Sequence, residues 1–234
     1  MTGFIRYQFI SYIRSLKIIP PLTVFGAWVF ILYAYKEVPI LSSYAVTSIA
    51  IYLIMTWVAM SVFSIEEESE KHILFVQLGS KNRFLWGKWF ICLMVALLLE
   101  ALAISYPVLM NNFKGVIKPF HYGLAIYSHS FLALFGILVG TFFSVTSYAS
   151  KKYAWLSAVF VIVVSLAYEA LVSKLVLLKW VLMIFPPAVN VIRYLSNGDI
   201  VDIKMDFWLY ASWSIVYILI GVIVIIKMFL MKES

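Results

Sequence analysis

The residues best equipped for chemistry lie in one run, Ser64-Ile65-Glu66-Glu67-Glu68-Ser69-Glu70-Lys71-His72. Four carboxylates within five residues offer the oxygen ligands that a hard cation takes. Consecutive side chains radiate around a helix, however, and do not converge on one ion. The simpler expectation is a solvated helix start, where acids suit the positive end of the helix dipole, and no metal site is expected. Two further carboxylates fall inside apolar runs. Glu100 lies eleven residues past Trp89, about 16 Å along a helix and so near a bilayer midplane. Glu169 lies near the end of another run, within reach of water. A charge at the midplane costs about 3 kcal/mol on insertion scales, so Glu100 is expected to be neutral or paired and to face protein. Thr56 and Ser165 match its depth.

Enzyme signatures are missing from the rest of the chain. There is no G-x-x-x-x-G-K-[ST] phosphate loop, so the chain is not expected to hydrolyse ATP by itself. H-E-x-x-H and G-x-S-x-G do not occur either. An intramembrane protease of the prenyl-protein-processing type uses paired glutamates and histidines within its spans. Glu67-Glu68 lies in a loop instead, and His121 and His129 belong to the opposite side of the membrane. Zinc ligands must come within about 2 Å of one ion, which this layout does not allow.

The elements that position these residues follow from composition. Of the 234 residues, 64% are hydrophobic and 12% charged, more apolar surface than a soluble domain of this size can bury. The chain is expected to be a single-domain, all-α integral membrane protein. Six runs approach the roughly 20 residues needed to cross a bilayer, at 18–35, 44–65, 89–109, 124–146, 153–172 and 207–226. A seventh, 175–189, is interrupted by Lys179 and ends in Pro186-Pro187, so the external region 173–206 is read as re-entrant or interfacial. Ahead of the first run, Ile5, Phe9, Tyr12 and Leu16 share one helical face and Arg6, Arg14 and Lys17 another. That pattern predicts an amphipathic interfacial helix over 1–17. No small-x-small cleavage site follows the first run, which is read as an uncleaved anchor.

Lys and Arg set the orientation. Segments 1–17, 66–88, 147–153 and 227–234 hold 11 of them, against 7 in 36–43, 110–123 and 173–206. Short basic loops resist translocation, so both termini are expected in the cytoplasm of a multi-pass plasma-membrane protein. Tyr33, Tyr35, Tyr44, Tyr106, Tyr122, Trp208 and Tyr210 mark the outer headgroup level, and Trp86, Trp89, Tyr148, Tyr153 and Trp155 the inner one. The formal charge of +7 is scattered, with no basic stripe for nucleic acid. Cys92 is the single cysteine, so no intrachain disulfide forms.

The stretch after the acids is informative. Ile73, Leu74, Phe75, Val76 and Leu78 make a short apolar face, broken by Gly79-Ser80-Lys81-Asn82-Arg83 before Phe84-Leu85-Trp86-Gly87-Lys88. An acidic helix with an apolar stripe, stopped by Gly-Ser and a basic turn, suits docking of a soluble partner. Here the chain resembles the membrane subunits of type-2 ABC exporters. Their loop between the second and third spans carries acids, a short helix with a leucine pair, a small-basic turn and a Gly-Lys entry into the next span. Glu66–Glu70, Ile73-Leu74, Ser80-Lys81 and Gly87-Lys88 follow that order, with Leu78-Gly79 where members often have Leu-Pro. The stretch from Phe185-Pro186-Pro187 to Tyr194-Leu195-Ser196-Asn197-Gly198 is similar to the family's element before its sixth span.

The resemblance implies an ATP-driven exporter of a hydrophobic or amphipathic substrate, such as a peptide. It also implies two permease copies, identical or related, each gripping one of two ATPase subunits that bind ATP and Mg. The coupling residues would be Glu66, Glu67, Glu68, Glu70, Lys71, Phe75, Leu78 and Arg83, with Phe75 and Leu78 inserted into the ATPase. No cofactor is expected in this chain. The competing reading is a stand-alone secondary transporter, channel or accessory membrane subunit. An ion pathway of its own would need several facing intramembrane charges.

Overall fold

Pro20-Pro21, Gly79, Pro107 and Pro119 punctuate the chain, and the helices begin and end around them. The computed structural model describes residues 1–146, 153–175, 177–196 and 205–233. Among these, every regular element is helical: α1 Thr2–Arg14, α2 Ile19–Leu32, α3 Ile40–Phe63, α4 Glu68–Leu78, α5 Lys81–Leu109, α6 Pro119–Val145, α7 Ala154–Leu166, α8 Tyr168–Lys174, α9 Leu178–Leu182, α10 Ala188–Ile192 with a 3-10 turn Arg193–Leu195, and α11 Met205–Glu233. Four helices (α3, α5, α6 and α11) are long and apolar enough to cross a membrane, and up to six spans result if each of two bent pairs counts as one. This is the layout of a multi-pass helical membrane protein.

The bent pairs differ from the sequence expectation. The first span is expected at 18–35, but α2 is only 14 residues long and joins α1 at a 73° elbow, with Leu16 in the left-handed region at φ 59°. The fifth, expected as one rod over 153–172, is α7 and α8 bent by 65° at Ala167. The third begins at Lys81, not at Trp89, because Lys88 has a partner that lets the helix run on through the charged segment. The predicted anchor Tyr148, the loop residues 147–152 and the Asn197-Gly198 step lie outside the described residues.

The core is the contact between α3 and α6. Gly136 and Gly140, one turn apart on α6, let the two backbones meet: a Cβ on Gly136 would stand 2.5 Å from the Tyr52 carbonyl oxygen, and one on Gly140 2.4 Å from that of Thr56. Small residues four apart are the standard means by which helices approach closely in lipid, where hydrophobic burial supplies little drive. Several polar groups inside this core are paired, although His121 Nε2 and the Tyr127 hydroxyl on α6 are buried without a hydrogen-bond partner among the described residues. The His129 ring hydrogen-bonds Thr47 Oγ1 at 2.9 Å and the Ala125 carbonyl at 2.8 Å, and Trp89 Nε1 donates to Thr141 Oγ1 at 3.1 Å.

At the end remote from α4, a short parallel bridge joins the α2–α3 and α5–α6 connections. Val38 N–H donates to the Asn112 carbonyl and Lys114 N–H to that of Val38, both at 2.9 Å, while Asn112 Nδ2 donates to the Tyr33 carbonyl at 2.8 Å. Phe113 seats between Tyr33 and Tyr44.

Candidate functional site

The acidic run, the helix after it and three neighbouring helix ends form one polar assembly. α4 begins with Glu68 and Glu70 in its first turn, as the dipole favours. It stops at Gly79, whose φ of 64° is the left-handed conformation that a helix terminus commonly assigns to glycine. The glutamates then part company. Glu66 turns inward, accepts a hydrogen bond from Gln8 Nε2 and pairs with Lys88 Nζ at 2.5 Å. Lys88 is 0% exposed and also donates to the Val62 carbonyl at 2.6 Å, with Phe63 and Phe84 rings against its ammonium. A lysine so placed is tolerated because a carboxylate meets its charge, a carbonyl takes a second proton and two ring faces adjoin the ammonium.

Glu67 is exposed just before the first turn of α4. Glu70 accepts from the Tyr7 hydroxyl at 2.9 Å, and this bond, with some desolvation, holds the Tyr7 hydroxyl above its ordinary range. Lys71 joins Glu233, at the far end of the chain, and approaches Glu68 at 3.9 Å; Lys81 donates to the Glu233 carbonyl. Arg83 closes the turn onto the Leu78 carbonyl at 3.2 Å. Lys17 reaches the Ser64 carbonyl at 2.7 Å. Thus α1, the start of α5 and the end of α11 all hold the α4 segment.

Among the described residues, Glu68 is the one of the four glutamates that meets other metal-type ligands: its carboxylate, the His72 ring and the Glu233 carboxylate lie within 4.8 Å of one another. Lys71 already supplies positive charge to both carboxylates.

The two residues expected to anchor a partner are placed differently from the expectation. Phe75 is 7% exposed and packs against Phe84 and Phe229, with ring centroids 5.1 and 5.9 Å away. Leu78 is half-buried against the hydrophobic core. Both therefore fasten α4 to its own chain. The outward face is Ile73 and Val76, 58% and 83% exposed and three residues apart. The sequence offered a five-residue apolar stretch without saying which side lay inward; Phe229, 154 residues after Phe75, decides that.

Comparison with protein-family models, with curated proteins and with solved structures finds no match.

Glu100 faces protein, as expected, but its partner is neither Thr56 nor Ser165. Ser130 on α6 donates to it, with the hydroxyl 3.0 and 3.1 Å from the two carboxylate oxygens. Thr56 donates instead to the Tyr52 carbonyl, and Ser165 to the Ile162 carbonyl and the Tyr52 hydroxyl. Depth matching failed because it ignores which faces adjoin. Glu169 is exposed in the first turn of α8, remote from the α4 assembly in sequence and held by none of its contacts. Sequence reading passed over Gln8 and Glu233, and it used Lys88 only as part of the Gly87-Lys88 entry, not as a partner for Glu66. Lys88 carried a signal of its own: it lies at the mouth of an apolar run, where a cation needs a partner.

Proposed function

We propose that this chain is the permease subunit of an ABC exporter and that α4 is its coupling helix. The observation that carries the reading is α4 itself: a short helix set off by Gly79, tied on one side to three other helices and presenting Ile73 and Val76 on the other. A plain connection between two spans needs neither the ties nor the apolar pair. In this reading Ile73 and Val76, not Phe75 and Leu78, enter a groove on the ATPase, and Glu67, Glu68 and Arg83 form the charged rim. Compact apolar anchors dominate such contacts. ATP and Mg belong to that partner.

The same reading takes six spans, with α2 and α7 the crossing arms of the two bent pairs, α1 interfacial, α8 to α10 a re-entrant element on the outer side, and both termini in the cytoplasm at the plasma membrane. The α3 helix is sunk in the core except for one stripe. Val46 and Leu53 are exposed there, Ala50 and Trp57 half-exposed, and Trp57 adjoins Trp155 of α7. A second copy would seat on this stripe and the outer face of α7, with a hydrophobic or amphipathic substrate, such as a peptide, moving between the copies. ATP-driven closure of the ATPases would push α4, and the contacts to α1, α5 and α11 would spread the push through the spans.

The test is co-purification of the full chain, expressed in its native host, with an ABC-type ATPase subunit. The parent should retain the ATPase, whereas Ile73→Asp/Val76→Asp should lose it at least tenfold while still inserting. Retention by the double variant, or no ATPase bound by the parent, would overturn the reading.

A further inference from the structure

The N-terminal helix carries four side-chain rows at i, i+4, i+8 spacing, and each row meets a different environment. Phe4, Gln8 and Tyr12 form the first and are buried. Phe4 packs at a tilt against Phe84, and a Cβ on Gly87 would strike its ring; Gln8 Nε2 donates to Glu66, and the Tyr12 hydroxyl meets Ser61 Oγ at 3.0 Å. The next row is Ile5, Phe9 and Ile13, apolar throughout, with Phe9 and Ile13 exposed. The third is Arg6, Ile10 and Arg14, all exposed. The last begins at Tyr7, which bonds Glu70.

The order of the rows is what matters. An apolar row flanked directly by a row with two arginines is the section of a helix lying at the boundary between acyl chains and headgroups. Among the described residues, neither Arg6 nor Arg14 has a hydrogen bond or an ion pair within the chain. No Asp or Glu occurs before Glu37 to neutralise them. The 73° elbow at Leu16 holds α1 aside from α2, so the exposed rows stay at the surface of the bundle. The same helix touches the acidic run from behind, through Gln8 to Glu66 and Tyr7 to Glu70.

We propose that α1 binds a membrane surface rich in anionic phospholipid through Arg6 and Arg14, and that its seating there is transmitted to α4 through the Gln8–Glu66 and Tyr7–Glu70 hydrogen bonds. The occupant is a lipid surface because the apolar row and the cations are side by side on one helix. A soluble acidic partner would have no use for Phe9 and Ile13. The inference requires a bilayer and no ATPase, so it stands or falls separately from the transport reading.

The experiment is hydrogen–deuterium exchange on the purified full chain in nanodiscs of phosphatidylcholine, with and without phosphatidylglycerol. Two juxtamembrane cations are expected to raise protection of residues 2–14 on the order of thirty-fold when the anionic lipid is present. Protection of 68–78 should rise with it, and both gains should shrink at high salt. Arg6→Gln/Arg14→Gln should abolish both while leaving Cys92 unreactive, which shows the fold intact. Tyr7→Phe/Gln8→Leu should keep the response of α1 and lose that of α4; Tyr7→Phe alone, which removes one exposed hydroxyl, should weaken it. Equal exchange in the two lipids, or a response that survives loss of both arginines, would overturn lipid recognition. A full α4 response in the Tyr7→Phe/Gln8→Leu variant would overturn the transmission.

Discussion

Gly136→Ala/Gly140→Ala tests the packing on which every other element depends. At Gly140 a methyl would lie 2.4 Å from the Thr56 carbonyl oxygen and 2.8 Å from Ala59 Cβ; at Gly136, 2.5 Å from the Tyr52 oxygen and 3.0 Å from Met55 Cβ. Ordinary contact begins at 3.4 Å, so α3 must retreat by about 1 Å along two turns. The groups in the way are backbone and Cβ atoms, which have no rotamer to escape into. Overpacking of this kind costs about 1–3 kcal/mol per site. The two sites share one contact, so a retreat made for the first partly accommodates the second and the total stays below the sum. A total of about 2–4 kcal/mol follows. The chain carries its own reporter: Cys92, its single cysteine, is 0% exposed on α5. A fluorogenic maleimide will react as the bundle opens, and the midpoint of thiol exposure on heating should fall by roughly 4–10 °C. Gly123→Ala on the same helix is the control, since a Cβ there meets nothing within 4 Å. A double variant with the parent's midpoint, or a control that falls as far, would refute the close approach.

Three further outcomes follow from polar contacts. Lys88→Met should destabilise by about 3–5 kcal/mol in the same thiol assay, because it strands Glu66 in a buried position; adding Glu66→Met should recover most of that loss, and additive losses would refute the pairing. Glu100→Gln should preserve the parental midpoint by keeping the Ser130 hydrogen bond, whereas Glu100→Leu should cost about 1 kcal/mol by removing the acceptor; equal midpoints would show the contact to be idle. For orientation, cysteines at Ser69 and Val116 in a Cys92→Ser background should label from outside intact cells at 116 and not at 69, and the reverse would overturn the cytoplasmic placement of α4. Val116 is the better reporter than Asn112, which is buried and engaged with the Tyr33 carbonyl.

Much of the helical layout is legible in the chain because long apolar runs leave few alternatives, and the stop at Gly79 is written in the glycine itself. What escaped depends on partners distant in sequence. Tyr12 belongs to the buried row of α1, as a hydrophobic residue should, but Gln8 completes that row only because Glu66 waits 58 residues on. The early start of α5 needs Lys88 neutralised, and the inward turn of Phe75 needs Phe229. Periodicity also gave no notice that α7 and α8 bend, since the apolar pattern continues through Ala167. The Gly136-x-x-x-Gly140 spacing, by contrast, is a signal that the sequence carries for a close helix contact and that the reading of the apolar runs passed over. For the site, the acidic run and the short helix after it were visible, while the exposed face of that helix was not.

The bridge between Val38 and Phe113 has a mechanical consequence. It staples α3 to α5 through their connections at one end of the bundle, and the Lys88–Glu66 pair staples them again at the other. Two helices tied at both ends resist shearing past each other. Outside this brace lie α7, bent from α8 by 65° at Ala167, and α11, which rests on Phe75 at one end and on Tyr127 and Tyr194 at the other. A push delivered at α4 would therefore meet a braced α3–α5 pair, and the C-terminal third is the part of the chain that lies outside that brace.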